Sequence, residues 1–265
     1  MLYTVCKMLN VLNALILGIV EGITEFLPIS STAHLLIAGK LLHISQNDFS
    51  KFFDVFIQLG AILAVVFLYM TFVLKHKQLI GKLLVSFIPT AIVGFLFYET
   101  IKGVFFESFN LMSTALFLFG LIFIILEWMI KKKKFSLTKT LKKISYKDAF
   151  WIGLMQSLAI VPGVSRAGII IVSMMSMKFK REDSAIYSFL LAVPTIGAAS
   201  LLDLYKSREL LSGNMQNVEI LIVGFVASLV TAYLTVKWLT SYLRKNSLTP
   251  FGIYRVLLAI IVMFV

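Results

Sequence analysis

Charged residues are scarce in this 265-residue chain, at 14% of the sequence, whereas 59% of the residues are hydrophobic and the mean hydropathy is +0.94. A soluble domain of this length would carry nearly twice that charged fraction. Apolar runs of about twenty residues, the length of a helix that crosses a bilayer, recur along the whole chain. The composition therefore excludes an ordinary soluble protein and predicts an all-α, polytopic membrane protein that forms one integral membrane domain, 1–265.

Cysteine and acidic residues are also rare. The single cysteine, Cys6, excludes an internal disulfide and a cysteine-based metal cluster. Asp and Glu number 13 against 25 Lys and Arg, which gives a formal charge of +12. In a soluble protein this surplus would suggest a nucleic-acid partner. In a membrane protein it indicates basic loops on the cytoplasmic side, so no nucleic-acid partner is expected.

The chain divides into two halves with the same order of elements, about six spans in all. Each half begins with a helix pair that is too short to cross the bilayer and is interrupted by proline, and each continues with three full-length spans. A re-entrant helix–turn–helix with its tip buried against protein fits each short pair. The predicted elements are a broken pair at 11–25 and 30–42 with spans at about 54–74, 79–98 and 111–130, then a broken pair at 148–161 and 169–177 with spans at about 184–202, 218–242 and 250–265.

A loop with eight lysines, 131–147, joins the halves 1–130 and 148–265. A shift of 135 residues places Gly18 on Gly153 and Ser30 on Ser165, which indicates an internal repeat. Three spans per half is an odd number, so the halves enter the membrane in opposite orientations. The basic loops, including 131–147, would then lie together in the cytoplasm. An inverted-topology repeat of this kind builds its site at the bilayer midplane from the interrupted segments.

The first broken pair carries two carboxylates at membrane depth, Glu21 and Glu25. An ionisable group there costs a few kcal/mol unless it is paired, ligated or hydrated, so it indicates function. The two residues are four apart and share one helix face, where they could hold a divalent cation or act in acid–base chemistry. The alternative is a structural pair neutralised by an arginine.

Hydroxyls and a histidine follow the break at Pro28. Ser30 and Ser31 could cap the second short helix, whose N-terminus suits an anion such as phosphate, and capping is compatible with phosphate contact. His34 lies one turn beyond Ser31. A histidine beside two glutamates is a candidate general base or nucleophile, although a lone histidine on an apolar helix is more often a core residue.

The second break holds an arginine among glycines. Arg166 follows Pro162, Gly163 and Ser165, and a buried arginine near glycines that let the backbone approach a ligand makes a phosphate clamp. The alternative for Arg166 is an ion pair with Glu21 or Glu25. Ser165 is either a cap or a phosphate contact.

At these residues the chain resembles the undecaprenyl-diphosphate phosphatase family of bacterial membranes, also known for bacitracin resistance, over essentially its full length. Both family signatures are present, one at each broken pair, and the stretches 53–60 and 187–194 also look like the family. The first signature matches Glu21, Glu25, Pro28, Ser30, Ser31 and His34, and the second matches Pro162, Gly163, Ser165 and Arg166. The family fold of six spans and two re-entrant pairs in an inverted repeat agrees with the predicted elements.

The resemblance implies hydrolysis of the lipid undecaprenyl diphosphate to the monophosphate and phosphate, which recycles the lipid carrier for peptidoglycan synthesis in the bacterial cell membrane. The site would face the extracytoplasmic side. A Mg²⁺ or Ca²⁺ on Glu21 and Glu25 and the charge of Arg166 would neutralise the diphosphate. Ser31 is expected as the nucleophile with His34 as its base, and water or His34 itself remains an alternative nucleophile.

The second signature departs from the family pattern. Ala167 and Ile170 stand where the family usually has hydroxyl residues, which predicts altered phosphate orientation or a less active paralogue. The oligomeric state is open, a homodimer included.

Two other function classes compete with the phosphatase. A secondary transporter or lipid-carrier flippase shares the inverted-repeat architecture but has little use for a Ser–His pair beside two carboxylates and an arginine. A lipid phosphatase of the acid-phosphatase type needs a nucleophilic histidine late in the chain. The histidines here are His34, His43 and His76, so that class is excluded.

Overall fold

The computed structural model describes residues 8–97, 109–207 and 215–263; Cys6 lies outside these ranges. The described chain is almost entirely helical, which confirms the predicted class. Its ten α-helices are α1 (Val11–Thr24), α2 (Ser31–Leu41), α3 (Asp48–Lys75), α4 (Gln78–Leu96), α5 (Phe109–Lys131), α6 (Tyr146–Gln156), α7 (Arg166–Ser176), α8 (Arg181–Lys206), α9 (Met215–Lys245) and α10 (Thr249–Met263).

Side-chain caps fix the start of several helices. The Asn10 side chain accepts a hydrogen bond from the backbone three residues on, and Asn47 does the same for Ser50, at 2.8 Å. Ser145 and Asp148 form a reciprocal capping box at the start of α6. Each cap satisfies a backbone N–H that has no partner inside its helix. Helices α1 and α6 begin within two residues of their predicted starts, 11 and 148, whereas α3 begins at Asp48, six residues before the predicted 54.

Five helices, α3, α4, α5, α8 and α9, are long and apolar enough to cross a membrane. The sixth predicted span is shorter: α10 has 15 residues, about 22 Å at 1.5 Å per residue. The long helices leave large apolar side chains exposed, among them Phe67, Leu84 and Phe95. Exposed apolar faces of this kind fit contact with lipid, and the chain is a multi-pass membrane protein.

The short helix α7 of the second broken pair lies against protein. In α7, residues 167–175 are all buried. A helix that is apolar on all sides must be covered on all sides. The short helix of the second pair is therefore enclosed by its neighbours, as expected of a segment that does not cross the bilayer.

The halves pack in corresponding ways. Helix α1 packs on α9, and its counterpart α6 packs on α4; the pairs α3–α8 and α5–α10 each join the same element of both halves. A Cβ on Gly18 would lie 2.4 Å from Gly224 O, and one on Gly153 would lie 2.3 Å from Ser86 O. The same glycine in each half thus permits close helix contact, which supports the repeat. The opposite membrane orientation of the halves remains a prediction.

Candidate active site at the two broken helix pairs

One carboxylate joins the two broken pairs. Glu25 accepts a hydrogen bond from the Ser31 hydroxyl at 2.5 Å through one oxygen and from Arg166 Nη2 at 2.9 Å through the other. Ser31 belongs to the first pair and Arg166 to the second. Glu25 is buried, and the side chain of Arg166 is 11% exposed. The ion pair is therefore shielded from bulk solvent. Hydrogen bonds between charged groups are strong in such a shielded place.

Arg166 is held from a second direction. Its Nη1 donates to the backbone carbonyl of Ser188 at 2.9 Å, and its guanidinium lies 5.8 Å from the centre of the Phe26 ring. Its Nε is buried without a hydrogen-bond partner among the described residues. The guanidinium is thus fixed by α8 and Glu25 and keeps a donor for a further acceptor.

A cavity of about 150 Å³ opens beside this ion pair. Six of the eight residues proposed from the sequence for catalysis, substrate binding or metal binding line this cavity. They are Glu25, Ser30, Ser31, Gly163, Ser165 and Arg166, with Thr32 and Gln58 beside them. The structure therefore brings both signatures to one space in which hydroxyls, a carboxylate and a guanidinium converge.

Both turns that border the cavity have the same unusual backbone. Ser30 has φ 75° and Ser165 has φ 68°, although neither is glycine, and Gly163 has φ 95°. A non-glycine residue in this region costs on the order of 1–3 kcal/mol and persists only where its surroundings enforce it. The Ser165 hydroxyl caps α7 by accepting from the Gly168 N–H at 3.1 Å. Ser30 makes no side-chain cap, so its hydroxyl stays free for a ligand.

Glu21 lies apart from the cavity. Its side chain is fully buried, and neither carboxylate oxygen has a hydrogen-bond partner among the described residues. Its charged neighbours are Glu25, Asp54 and Arg166. A buried carboxylate without partners is costly unless it is protonated or ligated, and carboxylate oxygens are ligands that hard cations prefer. The described residues hold no group of three acidic, His or Cys side chains arranged for a metal ion.

His34 takes a different place from the predicted one. Its Nδ1 lies 2.7 Å from the carbonyl oxygen of Ser30, and its Nε2 lies 2.7 Å from the Tyr254 hydroxyl. His34 does not line the cavity, and the hydroxyl of Ser31 is bonded to Glu25. The geometry therefore favours Glu25 over His34 as the acceptor of the Ser31 proton, because both ring nitrogens of His34 are engaged elsewhere.

No role was predicted from the sequence for four residues around the site, although two of them fall in the stretch 53–60 that resembles the family. Asp54 and Gln58 are one turn apart on α3, and an acid in an apolar span was the signal available for Asp54. Arg255 and Tyr254 come from α10, more than 200 residues from the first turn. An arginine in an apolar helix could have marked Arg255, but nothing local to Tyr254 predicts its partner.

Residues 14–261 match the model of the family described as bacitracin resistance protein BacA. An undecaprenyl-diphosphatase of Campylobacter hominis is 44% identical over 257 residues, which cover 97% of this chain and 99% of that protein. An undecaprenyl-diphosphatase of Aquifex aeolicus is 43% identical over 249 residues, with coverage of 94% and 96%. One of Methanococcus aeolicus is 39% identical over 256 residues, with coverage of 96% and 98%. These matches confirm the resemblance seen at the two turns, and the chain belongs to the bacitracin resistance protein BacA family.

Proposed function

We propose that this chain hydrolyses undecaprenyl diphosphate to undecaprenyl phosphate and inorganic phosphate. The observation that carries the proposal is Glu25, which accepts hydrogen bonds from the Ser31 hydroxyl and from Arg166 at the edge of a polar cavity. A transporter site has no need of a hydroxyl paired with a carboxylate base. The similarity to undecaprenyl-diphosphatases identifies the substrate class.

In this proposal Ser31 and Glu25 act as nucleophile and base. The Ser31 oxygen attacks the terminal phosphorus as its proton passes to Glu25. The bond from that phosphorus to the bridging oxygen breaks, and undecaprenyl phosphate leaves with the proton that Glu25 took up, which restores the carboxylate. Water then attacks the phosphoserine as its proton passes to Glu25. The bond from phosphorus to the Ser31 oxygen breaks, Ser31 takes the proton back from Glu25, and inorganic phosphate is released. Arg166 stabilises the charge on the transferred phosphoryl group, and the hydroxyls of Ser30 and Ser165 orient its oxygens.

A divalent cation, Mg²⁺ or Ca²⁺, is proposed as cofactor. Glu21 and Glu25 would hold it, since the oxygens of Glu21 are buried without hydrogen-bond partners. Bound there, the ion would neutralise part of the diphosphate charge.

The two departures from the family pattern lie outside the lining of the cavity. Ala167 and Ile170 are fully buried on α7 and do not line it. The groups proposed to contact phosphate are all retained. We therefore expect turnover rather than a catalytically silent paralogue.

The membrane that holds the protein and the side from which the cavity is reached are also proposals. The basic loops would face the cytoplasm of a bacterial cell, with the protein in its inner membrane and the cavity reached from the extracytoplasmic side. There the product would re-enter peptidoglycan synthesis, and removal of the diphosphate would protect against bacitracin. The oligomeric state is open, and a homodimer is one of the proposed states.

The test is phosphate release from undecaprenyl diphosphate by the purified full chain in detergent, with Mg²⁺, with Ca²⁺ and with a chelator. We expect release that the chelator suppresses and that Glu25→Gln lowers by about 10²–10³-fold. Glu182→Gln is the matched control, because Glu182 pairs with Arg244 far from the cavity and is partly exposed. No release from the folded protein with either metal would overturn the proposal. Phosphate release that persists in the presence of the chelator would overturn only the proposal that the reaction needs a divalent cation.

A further inference from the structure

Arg255 is a fully buried cation outside the cavity. It lies on α10 with its guanidinium 5.9 Å and 5.4 Å from the ring centres of Phe119 and Phe123 on α5. A buried charge of this kind is retained only where its donors are well used. No acidic partner within salt-bridge distance of Arg255 occurs in the described part of the chain, so its partners must come from elsewhere.

Those partners are backbone carbonyls of both broken turns. Arg255 Nη1 donates to Pro28 O at 3.1 Å, and Nη2 donates to Gly163 O at 2.6 Å and to Val164 O at 3.1 Å. Pro28 lies three residues before Ser31, and Val164 lies two before Arg166. One guanidinium therefore connects the two segments that carry the nucleophile and the phosphate clamp.

The arrangement requires the shape of arginine. The guanidinium is planar and carries donors on a rigid fork, so two nitrogens can address two turns at once. A lysine ammonium is a single point on a flexible stem and cannot hold both turns at the same geometry. The requirement for arginine distinguishes a geometric role from a mere need for positive charge.

The neighbouring residue on α10 reaches the first turn by a second route. The Tyr254 hydroxyl contacts His34 Nε2, and the two rings stack with centroids 5.7 Å apart. Ser30 O can only accept a hydrogen bond, so Nδ1 of His34 carries a proton. When the ring is neutral, Nε2 accepts a hydrogen bond from the Tyr254 hydroxyl. His34 thus links Tyr254 to the strained Ser30.

We propose that Tyr254 and Arg255 are positioning residues for the reaction, which rests on the proposed function. They hold the two turns together so that Ser31 and Arg166 share Glu25. Neither residue lines the cavity, and neither needs to touch substrate. His34 acts in the same assembly by fixing Ser30, and it transfers no proton.

The test compares kcat, KM and thermal stability of the purified full chain carrying Arg255→Gln, Arg255→Lys or Tyr254→Phe. Misplacement of reacting groups by about 1 Å can cost on the order of 10²-fold in rate. We expect Arg255→Gln to lower kcat about 10²-fold with little change in KM, and Arg255→Lys to restore little of it. Tyr254→Phe should lower kcat by a smaller factor. Arg244→Gln is the control, because Arg244 makes an exposed ion pair away from the turns.

His34 separates positioning from proton transfer. An asparagine amide can donate to Ser30 O from nearly the place of Nδ1 but cannot serve as a base. We expect His34→Asn to retain much more of the wild-type kcat than His34→Ala does. Equal loss in both variants would overturn the assignment of His34, and folded Arg255 variants with wild-type kcat would overturn the role of Arg255.

A second readout does not depend on activity. Thr32 and Ala159 line the cavity from the two broken pairs, so cysteines placed there in a Cys6→Ser background should react with a short bismaleimide. We expect Arg255→Gln to lower the cross-linking yield and Arg244→Gln to leave it unchanged. An unchanged cross-linking yield in Arg255→Gln would refute the positioning role of Arg255. A chain without activity on undecaprenyl diphosphate would instead count against the proposed function alone, and the cross-linking result would still decide the positioning role.

Discussion

At the scale of single residues, the hydroxyl of Ser31 and its bond to Glu25 set the chemistry. We expect Ser31→Ala to lower kcat for phosphate release by at least about 10³-fold, because removal of a covalent nucleophile leaves only binding and electrostatic stabilisation. Ser173→Ala is the matched control, since the Ser173 hydroxyl bonds only within its own helix. Initial rates at saturating substrate give the comparison. A folded Ser31→Ala protein with more than about a tenth of the wild-type kcat would indicate water or His34 as the nucleophile.

The residues of the site were largely predictable, but their pairing was not. Carboxylates, an arginine and clustered hydroxyls are conspicuous in an apolar chain because each is costly at membrane depth. The sequence could not show that Ser31 bonds to Glu25 and that His34 bonds to Tyr254, 220 residues away. Such pairings depend on how distant helices pack, which no local pattern encodes.

At the scale of helices and turns, the interruptions were predictable because proline and serine interrupt apolar runs at known cost. The ends of the helices were harder to predict from the sequence. Helix α6 ends at Gln156 and continues as a 3₁₀ turn, Ser157–Ile160, where the sequence predicted one helix over 148–161. The positive φ of Ser30 and Ser165 was also hidden, because serine has no preference for that conformation.

Close helix contact gives a prediction at this scale. Gly153→Ala places a methyl group against the Ser86 backbone, which cannot move without shifting α4, so we expect destabilisation of about 1–3 kcal/mol. The control is Gly94→Ala, where nothing lies within 4 Å of the added carbon. A helical Gly→Ala change with open space around the added carbon is expected to be neutral or to stabilise by up to about 1 kcal/mol. Thermal unfolding in detergent measures both, and equal shifts would contradict the packing.

At the scale of the whole molecule, the two halves share a framework but not their chemistry. The second half has Gln156 where the first has Glu21. The Gln156 amide is buried and donates to Thr90 at 2.7 Å, so it joins helices instead of binding a ligand. The acidic groups come from one half and the arginine from the other, which yields one site between the halves. The sequence predicts the repeat, whereas the contacts were needed to see which half supplies each charged group of the site.

The inverted orientation predicts which loops face each side of the membrane. A single cysteine at Lys132 should react with an impermeant maleimide only after the cells are permeabilised, because positive loops stay in the cytoplasm. Gln46 lies just before the N-terminus of α3, on the side of the membrane opposite to the basic loops in the proposed topology. A cysteine at this position should react in intact cells. Labelling of both positions from the same side would contradict the proposed topology.

In the proposed function, both broken pairs form one catalytic unit through Glu25 and Arg166. The most direct test is a double-mutant cycle on kcat/KM for phosphate release from undecaprenyl diphosphate, with Glu25→Gln, Arg166→Gln and the double variant. We expect each single change to cost about 10²–10³-fold, and the double variant to lose little more than the worse single one, since residues that act as a unit are not additive. Losses that multiply in the folded double variant would show that the two residues act independently and would contradict the shared site.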